Sequence, residues 1–234
     1  MKRFLIRIAA VCFTALLCVP TMAQLGEQRH VLSVGANAGM NMTKVDFSPN
    51  IKQQTMNTIC GGFTIRYMSE KYFKMLCGLQ MEINYSMRGW KELIEDGSNN
   101  TYQRDMNYIE IPLLTHLAFG KDSRTKGAQF FVNLGPQIGF LIGDTEKKSD
   151  NWDTTNRPGG VTAQYDKAID KKFDYGITAG AGVEINTKAG HFLVEGRYYM
   201  GLMDFFNNSK KDFFGRSAHS LIAIKATYLF DIIK

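Results

Sequence analysis

The sequence has little proline, 5 residues in 234, against 22 glycines, and its 44% hydrophobic and 21% charged content excludes collagenous, low-complexity and disordered chains. It lacks a strong excess of charge. Of 28 basic residues, Lys2, Arg3 and Arg7 fall in a leader described below, and the remaining 25 against 22 acids leave +3. Nothing in that balance calls for nucleic acid. After the leader, no apolar run reaches the roughly 20 residues that a membrane-spanning helix needs, which excludes helical insertion. Also missing are a Gly-x-Ser-x-Gly elbow, a Walker loop and a His-Glu-x-x-His zinc helix. The four histidines, His30, His116, His191 and His219, sit on separate strands or their ends. With no identified nucleophile, no catalytic residue, cofactor or metal ligand is assigned, and the chain is read as not an enzyme.

What is present begins with an export signal. Lys2, Arg3 and Arg7 precede an apolar stretch from residue 8 to 19, and Pro20, Thr21, Met22 and Ala23 follow. That pattern is a signal peptide cut after Ala23, leaving residues 24–234 as one domain. Cys18 raises a lipoprotein signal, but Leu17 before it is not the small residue that lipid attachment requires. Two cysteines, Cys60 and Cys77, remain in an exported chain, where a disulfide is allowed.

The mature chain repeats with period two, apolar residues alternating with glycine or polar ones. Eight such segments are expected as strands: 30–41, 57–68, 73–88, 103–119, 129–143, 172–186, 191–203 and 218–230. They are long. A usual strand has about 5 or 6 residues, whereas a tilted strand crossing a bilayer needs about 9 to 11. The links at 69–72, 120–128 and 187–190 are short, and those at 42–56, 89–102, 144–171 and 204–217 are longer and polar. This alternation predicts an all-β, eight-stranded antiparallel up-and-down transmembrane β-barrel with short periplasmic turns and long outward loops.

Charge then assigns the faces. Arg66, Glu82, Glu110, His116, Glu184, Glu195, Arg197 and Lys225 share the polar face with Gly35, Gly39, Gly62, Gly78, Gly176, Gly180 and Gly182. Small residues beside ions fit a crowded concave interior. Eight strands enclose a space that side chains just fill, so these ions are expected to pair as a structural plug, because an unpartnered one costs several kcal/mol of desolvation. Among the histidines, only His116 is read as interior. Aromatics near the strand ends (Tyr67, Tyr72, Phe73, Tyr85, Trp90, Tyr102, Tyr108, Tyr198, Tyr199, Phe205, Phe206, Phe213, Phe214, Tyr228 and Phe230) are expected as interfacial girdles. If Arg66 pairs with Lys74 across the hairpin, Cys60 faces Gln80 and Cys77 faces Phe63, on opposite faces, and no disulfide forms. The acid-rich link at 144–171 departs from an EF-hand and is read as a solvated surface loop. It and the aromatic-flanked link at 205–214 are the places to look for a bound partner.

These segments also resemble a known family. GANAGMN at 35–41, GLQMEINYSMRGW at 78–90, MNYIEIPLLTHLAFG at 106–120, NLGPQIGFLIGD at 133–144, FDYGITAGAGVEIN at 173–186, VEGRYYMGLMDF at 194–205 and ATYLF at 226–230 resemble the PorT-like outer-membrane β-barrel family. The most telling positions are Glu82, Tyr85 and Ser86; Tyr108, Glu110 and Pro112; Gly135 and Pro136; and Gly196, Arg197, Tyr198 and Gly201. The resemblance implies an eight-stranded barrel in the outer membrane of a Gram-negative bacterium. It also implies a possible link to protein secretion, the role associated with the family's namesake. The chain departs from many such barrels by continuing for four residues, Asp231 to Lys234, after Phe230.

The expected protein is therefore a structural or interaction barrel, surrounded by outer-membrane lipid, with a possible protein partner at its outer loops, no nucleic acid and a monomeric state. Three alternatives stand beside it. One is a small-molecule binder or narrow pore, which needs a less filled interior. Another is a soluble exported barrel of lipocalin type with its apolar face inside. The last is a lipid-modifying barrel enzyme using His116 as base.

Overall fold

A sheet of long two-faced strands can satisfy its edges by closing on itself. The computed structural model describes residues 26–120, 127–150, 152 and 160–233, and in it the sheet closes. The elements are β1 (Glu27–Ser48), β2 (Gln53–Gln54), β3 (Met56–Tyr72), β4 (Met75–Glu92), β5 (Tyr102–Gly120), β6 (Gly127–Lys148), β7 (Phe173–Asn186), β8 (His191–Asp204) and β9 (Arg216–Ile233). Their order is β2-β4-β3-β1-β9-β8-β7-β6-β5, and pairing of β4 with β5 completes the ring. Eight long strands form an antiparallel up-and-down barrel. β2 is a side rung, with Gln53 and Gln54 opposite Glu92 and Lys91. The expected signal peptide, residues 1–23, and positions 121–126 of the expected second short turn lie outside the described residues.

Strand lengths run from 14 to 22 residues, more than a bilayer crossing requires. The surplus lies at the end opposite the short turns, away from the start of β1 and the close of β9. There β1 runs on to Ser48 and β6 to Lys148, so the links expected at 42–56 and 144–171 are partly strand.

The hairpin register differs from the one expected. Arg66 pairs with Gln80, Cys60 with Ser86 and Cys77 with Glu70. The reason is the turn: β3 does not stop at Met68 but continues through an irregularity near Ser69 to Tyr72, which faces Met75. Reversal therefore occurs at Phe73 and Lys74, and the partners shift along the strand. Both cysteines are free thiols.

Side chains sort as the charges imply. Phe130, Val132 and Leu134 of β6 point outward and are 51%, 37% and 54% exposed, while Glu82 and Arg197 are 1% and 5% exposed. Ile59, Phe63, Leu79, Ile83, Ile177, Val183, Val194, Ile222 and Ile224 continue the apolar belt around the ring. Apolar outside and ionic inside is the reverse of a lipocalin-type barrel, and that alternative falls. The interior is crowded enough to need glycine. A Cβ on Gly182 would lie 2.2 Å from the Val194 carbonyl oxygen and 2.7 Å from the Phe131 ring.

Candidate functional site in the barrel lumen

The lumen is filled in layers from the turn end to the loop end. The first layer is apolar: Val31, Met68, Leu76, Ala118, Phe131, Leu193 and Leu229 pack together. Alternation then brings charges inward just above them. Arg66 on β3 donates to both oxygens of Glu184 on β7, at 2.6 and 2.9 Å, the two-pronged geometry that strengthens a guanidinium–carboxylate pair. Glu184 also meets His191 Nδ1 at 2.9 Å, and His191 Nε2 reaches Asp231 at 2.8 Å. Ser33 donates to the same Asp231 oxygen at 2.7 Å. Residues 231–233 thus extend β9, and Asp231 closes the network at this end.

His116 lies between layers, wholly buried. Its Nδ1 contacts Asn133 Oδ1 at 2.7 Å, and the Asn133 amide nitrogen donates to Glu195 at 3.0 Å. That fixes the amide's orientation, so Nδ1 carries the proton and Nε2 faces Arg66 Nη1 at 3.4 Å as an acceptor. Both ring nitrogens are engaged in the packing network.

The central layer is built around Glu82. Arg197 donates to its two oxygens at 2.9 and 2.8 Å and Lys225 at 2.6 Å, with Gln80 and Asn84 adding 2.7 and 2.8 Å bonds. Glu195 binds the other side of Arg197. A third group surrounds Arg88, which donates at 2.6 Å to Glu110 and at 2.6 Å to Asp174. The Arg88 guanidinium also lies 4.9 Å from the Tyr108 ring centre and 4.4 Å from that of Tyr199, whose hydroxyl donates to Asp174.

All eight lumen residues picked from the sequence point inward, but they are divided. Arg66, His116 and Glu184 sit together, Glu82, Glu195, Arg197 and Lys225 form the center, and Glu110 belongs with Arg88 and Asp174. The lumen set picked from the sequence left out Arg88, although it shares the polar face with Glu82, and also Asp174, His191, His219 and Asp231. For Arg88, Asp174 and His191 the signal was available, since each keeps the parity of an inward residue on its strand. The reading of His116 as the one interior histidine is corrected on the same ground: His219, 1% exposed, has the parity of Lys225, and its Nε2 meets the Tyr108 hydroxyl at 3.2 Å.

The loop end corrects the expected girdles. Trp90, Tyr102, Tyr108, Tyr199, Phe205, Phe206 and Phe214 are buried inside the mouth. Most of them join Phe47, Val45, Ile51, Met106 and Leu141 in one cluster. Trp90 and Phe205 stack at 5.8 Å, and Phe206 and Phe214 at 5.3 Å. Tyr67, Phe73, Tyr85, Tyr198, Phe213, Tyr228 and Phe230 do face outward. Strand ends that rise beyond the apolar belt still have an inside, and aromatic rings fill it.

The link expected to be solvated is also packed in its described part. Gln164 is fully buried and donates to Glu92 at 2.6 Å, as does the Tyr165 hydroxyl at 2.7 Å. The Tyr165 ring lies 4.8 Å from Tyr102. Asp144 and Glu146 are held by Arg104 at 2.5 and 2.8 Å. Removing the Tyr165 anchor by Tyr165→Ala should release this strap, so protease added to intact cells should cut between residues 149 and 172 several-fold faster than in wild type. Unchanged cleavage would mean that the strap is held elsewhere.

Among the described residues, no group of three or more His, Cys, Asp or Glu side chains could hold a metal ion. Residues 22–207 match the family model described as outer membrane protein beta-barrel domain. Solved structures with similarity include OprG of Pseudomonas aeruginosa, 12% identical over 88% of this chain and 98% of that one, TM-score 0.47. Another is Neisserial surface protein A, 11% identical over 85% and 97%, TM-score 0.42. A third is Ail, the attachment invasion locus protein of Yersinia pestis, solved with a heparin analogue, 14% identical over 86% and 100%, TM-score 0.38. No curated protein matches the chain.

Proposed function

Because the chain belongs to the outer membrane protein beta-barrel domain family, we propose that it is a closed, non-catalytic barrel of the outer membrane whose loop end faces outward and is its interaction surface. The observation that carries this reading is the continuous filling of the lumen: an apolar floor, three ionic groups and an aromatic cap, with inward side chains of Arg66, Glu82, Arg88, His116 and Trp90 all 2% exposed or less. Ions committed to one another in this way argue against a continuous water path, and the engaged nitrogens of His116 argue for a packing role over a base. On this reading residues 1–23 are the removed leader. The positions that resemble PorT-like members, Glu82 and Glu110 among them, support placing the chain near that branch, and here they serve lumen packing.

Single-channel recording in planar bilayers tests the closure. The purified barrel should give no steady conductance. A stable open level in the wild-type protein would replace this reading with a narrow pore.

A further inference from the structure

Tyr72 pairs with Met75, so Phe73 and Lys74 form a two-residue hairpin turn between β3 and β4. Phe73 has a φ of 52° at the first central position, where a two-residue turn of this kind favours glycine. At the other two short turns the positive φ falls on Gly120 and Gly190. A left-handed backbone crowds the Cβ of a bulky residue, and strain of this kind gathers at functional positions. Nothing within the chain offsets it. Phe73 is 84% exposed, more than any other large hydrophobic among the described residues. The ring pairs at this end, His30 with Tyr67 and Phe192 with Tyr228, leave it out.

Acyl chains do not account for the ring either. Toward the turn, the outward residues of β3 run Ile65, Tyr67, Glu70 and Tyr72, because the irregularity near Ser69 sets Glu70 on the outer face, opposite Gln28 of β1 and Cys77 of β4. Tyr67 is thus the boundary aromatic on this strand, and a carboxylate and an amide come after it. Phe73 follows Tyr67 by six positions, roughly 10–15 Å further along a tilted strand with one irregularity. A headgroup layer is only about 5–8 Å deep. The ring therefore stands beyond the bilayer, on a hairpin whose ladder is paired up to the turn itself. Lys74 beside it is exposed and has no ion pair among the described residues.

From this strained, exposed aromatic standing past a charged rung, we infer that the tip of the β3–β4 hairpin is a docking element for a periplasmic protein, with Phe73 entering an apolar pocket whose rim is acidic to match Lys74. Aromatic anchors seated in pockets carry much of the energy of protein interfaces. A ring held on a paired hairpin loses little freedom when it binds, which is the advantage of presenting it on a tight turn. The inference goes beyond the loop-end surface and rests on that reading only for which end faces the periplasm.

The test has two arms, both on the full barrel. In phosphatidylcholine vesicles, Phe73→Gly should unfold at a higher thermal midpoint than wild type, because the strain is relieved and no contact is lost. A lower midpoint would assign the ring to lipid or to the fold and overturn the inference. In producing cells, the photoreactive variant Phe73→p-benzoylphenylalanine should give one adduct of fixed mass. Added Lys74→Glu should weaken that adduct several-fold, Lys74→Arg should keep it, and the same probe at Lys188 in the third turn should not form it. No adduct, an adduct of two barrels, or one indifferent to Lys74→Glu overturns the inference. Orientation is read separately: Phe73→Cys, with Cys60→Ser and Cys77→Ser, should react with a membrane-impermeant maleimide only after the outer membrane is permeabilised. Labelling in intact cells would reverse the barrel and fail the loop-end reading, whereas a missing adduct with normal labelling fails only this one.

Discussion

Glu82→Ala should destabilise the barrel by about 3–5 kcal/mol, the range for removing one member of a buried ionic group. The size follows from what remains. Glu82 accepts from Arg197, Lys225, Gln80 and Asn84, and loss of its carboxylate leaves the Lys225 ammonium, 3% exposed, without its ion pair in a filled lumen. Arg197 retains Glu195. The double variant Glu82→Met with Lys225→Met should be milder than Glu82→Ala, because both charges leave together and methionine fills irregular space. Chemical unfolding in vesicles measures both. A Glu82→Ala cost below about 1 kcal/mol would show that the central layer is wetter or more adaptable than its geometry implies.

Leu134→Arg should cost about 2–4 kcal/mol in a lipid bilayer, the penalty for a cation on the lipid face near the midplane of a barrel. Leu134 lies near the middle of the outward apolar run of β6 from Phe130 to Ile142 and is 54% exposed. In a water-soluble protein such an exposed leucine would accept arginine within about 0.5 kcal/mol. The same substitution at Ile142, close to the loop end of the belt, should cost less, about 0–1 kcal/mol, because the penalty falls with depth. Unfolding in vesicles of one lipid compares the pair directly. Equal and negligible costs would contradict acyl chains against this face.

The two predictions depend on different kinds of information. That Leu134 faces outward and Glu82 inward was legible from alternation and from the placement of charge with glycine. Parity also carried more than was first taken from it: Trp90 shares the parity of Arg88, Tyr102 and Tyr108 that of Glu110, and Tyr199 that of Arg197. Reading them as girdle residues gave their position near the strand ends more weight than the face they occupy. Phe205, Phe206 and Phe214 were a different case, since they lie in a link with no alternation to read, and only the fold turns them into the mouth.

Period two determined the barrel, its polar interior and the sorting of long and short links, because those properties depend on the side of the backbone from which each residue projects. Partner choice required three dimensions. Arg66 meets Glu184 across 118 positions of sequence and Glu82 meets Arg197 across 115. Such pairs are chosen by the stagger of closed strands and by where each hairpin reverses, and a reversal at Phe73 and Lys74 moved the β3–β4 register without changing any residue's face. Local chemistry thus decided inside from outside, and ring closure decided which inside groups touch.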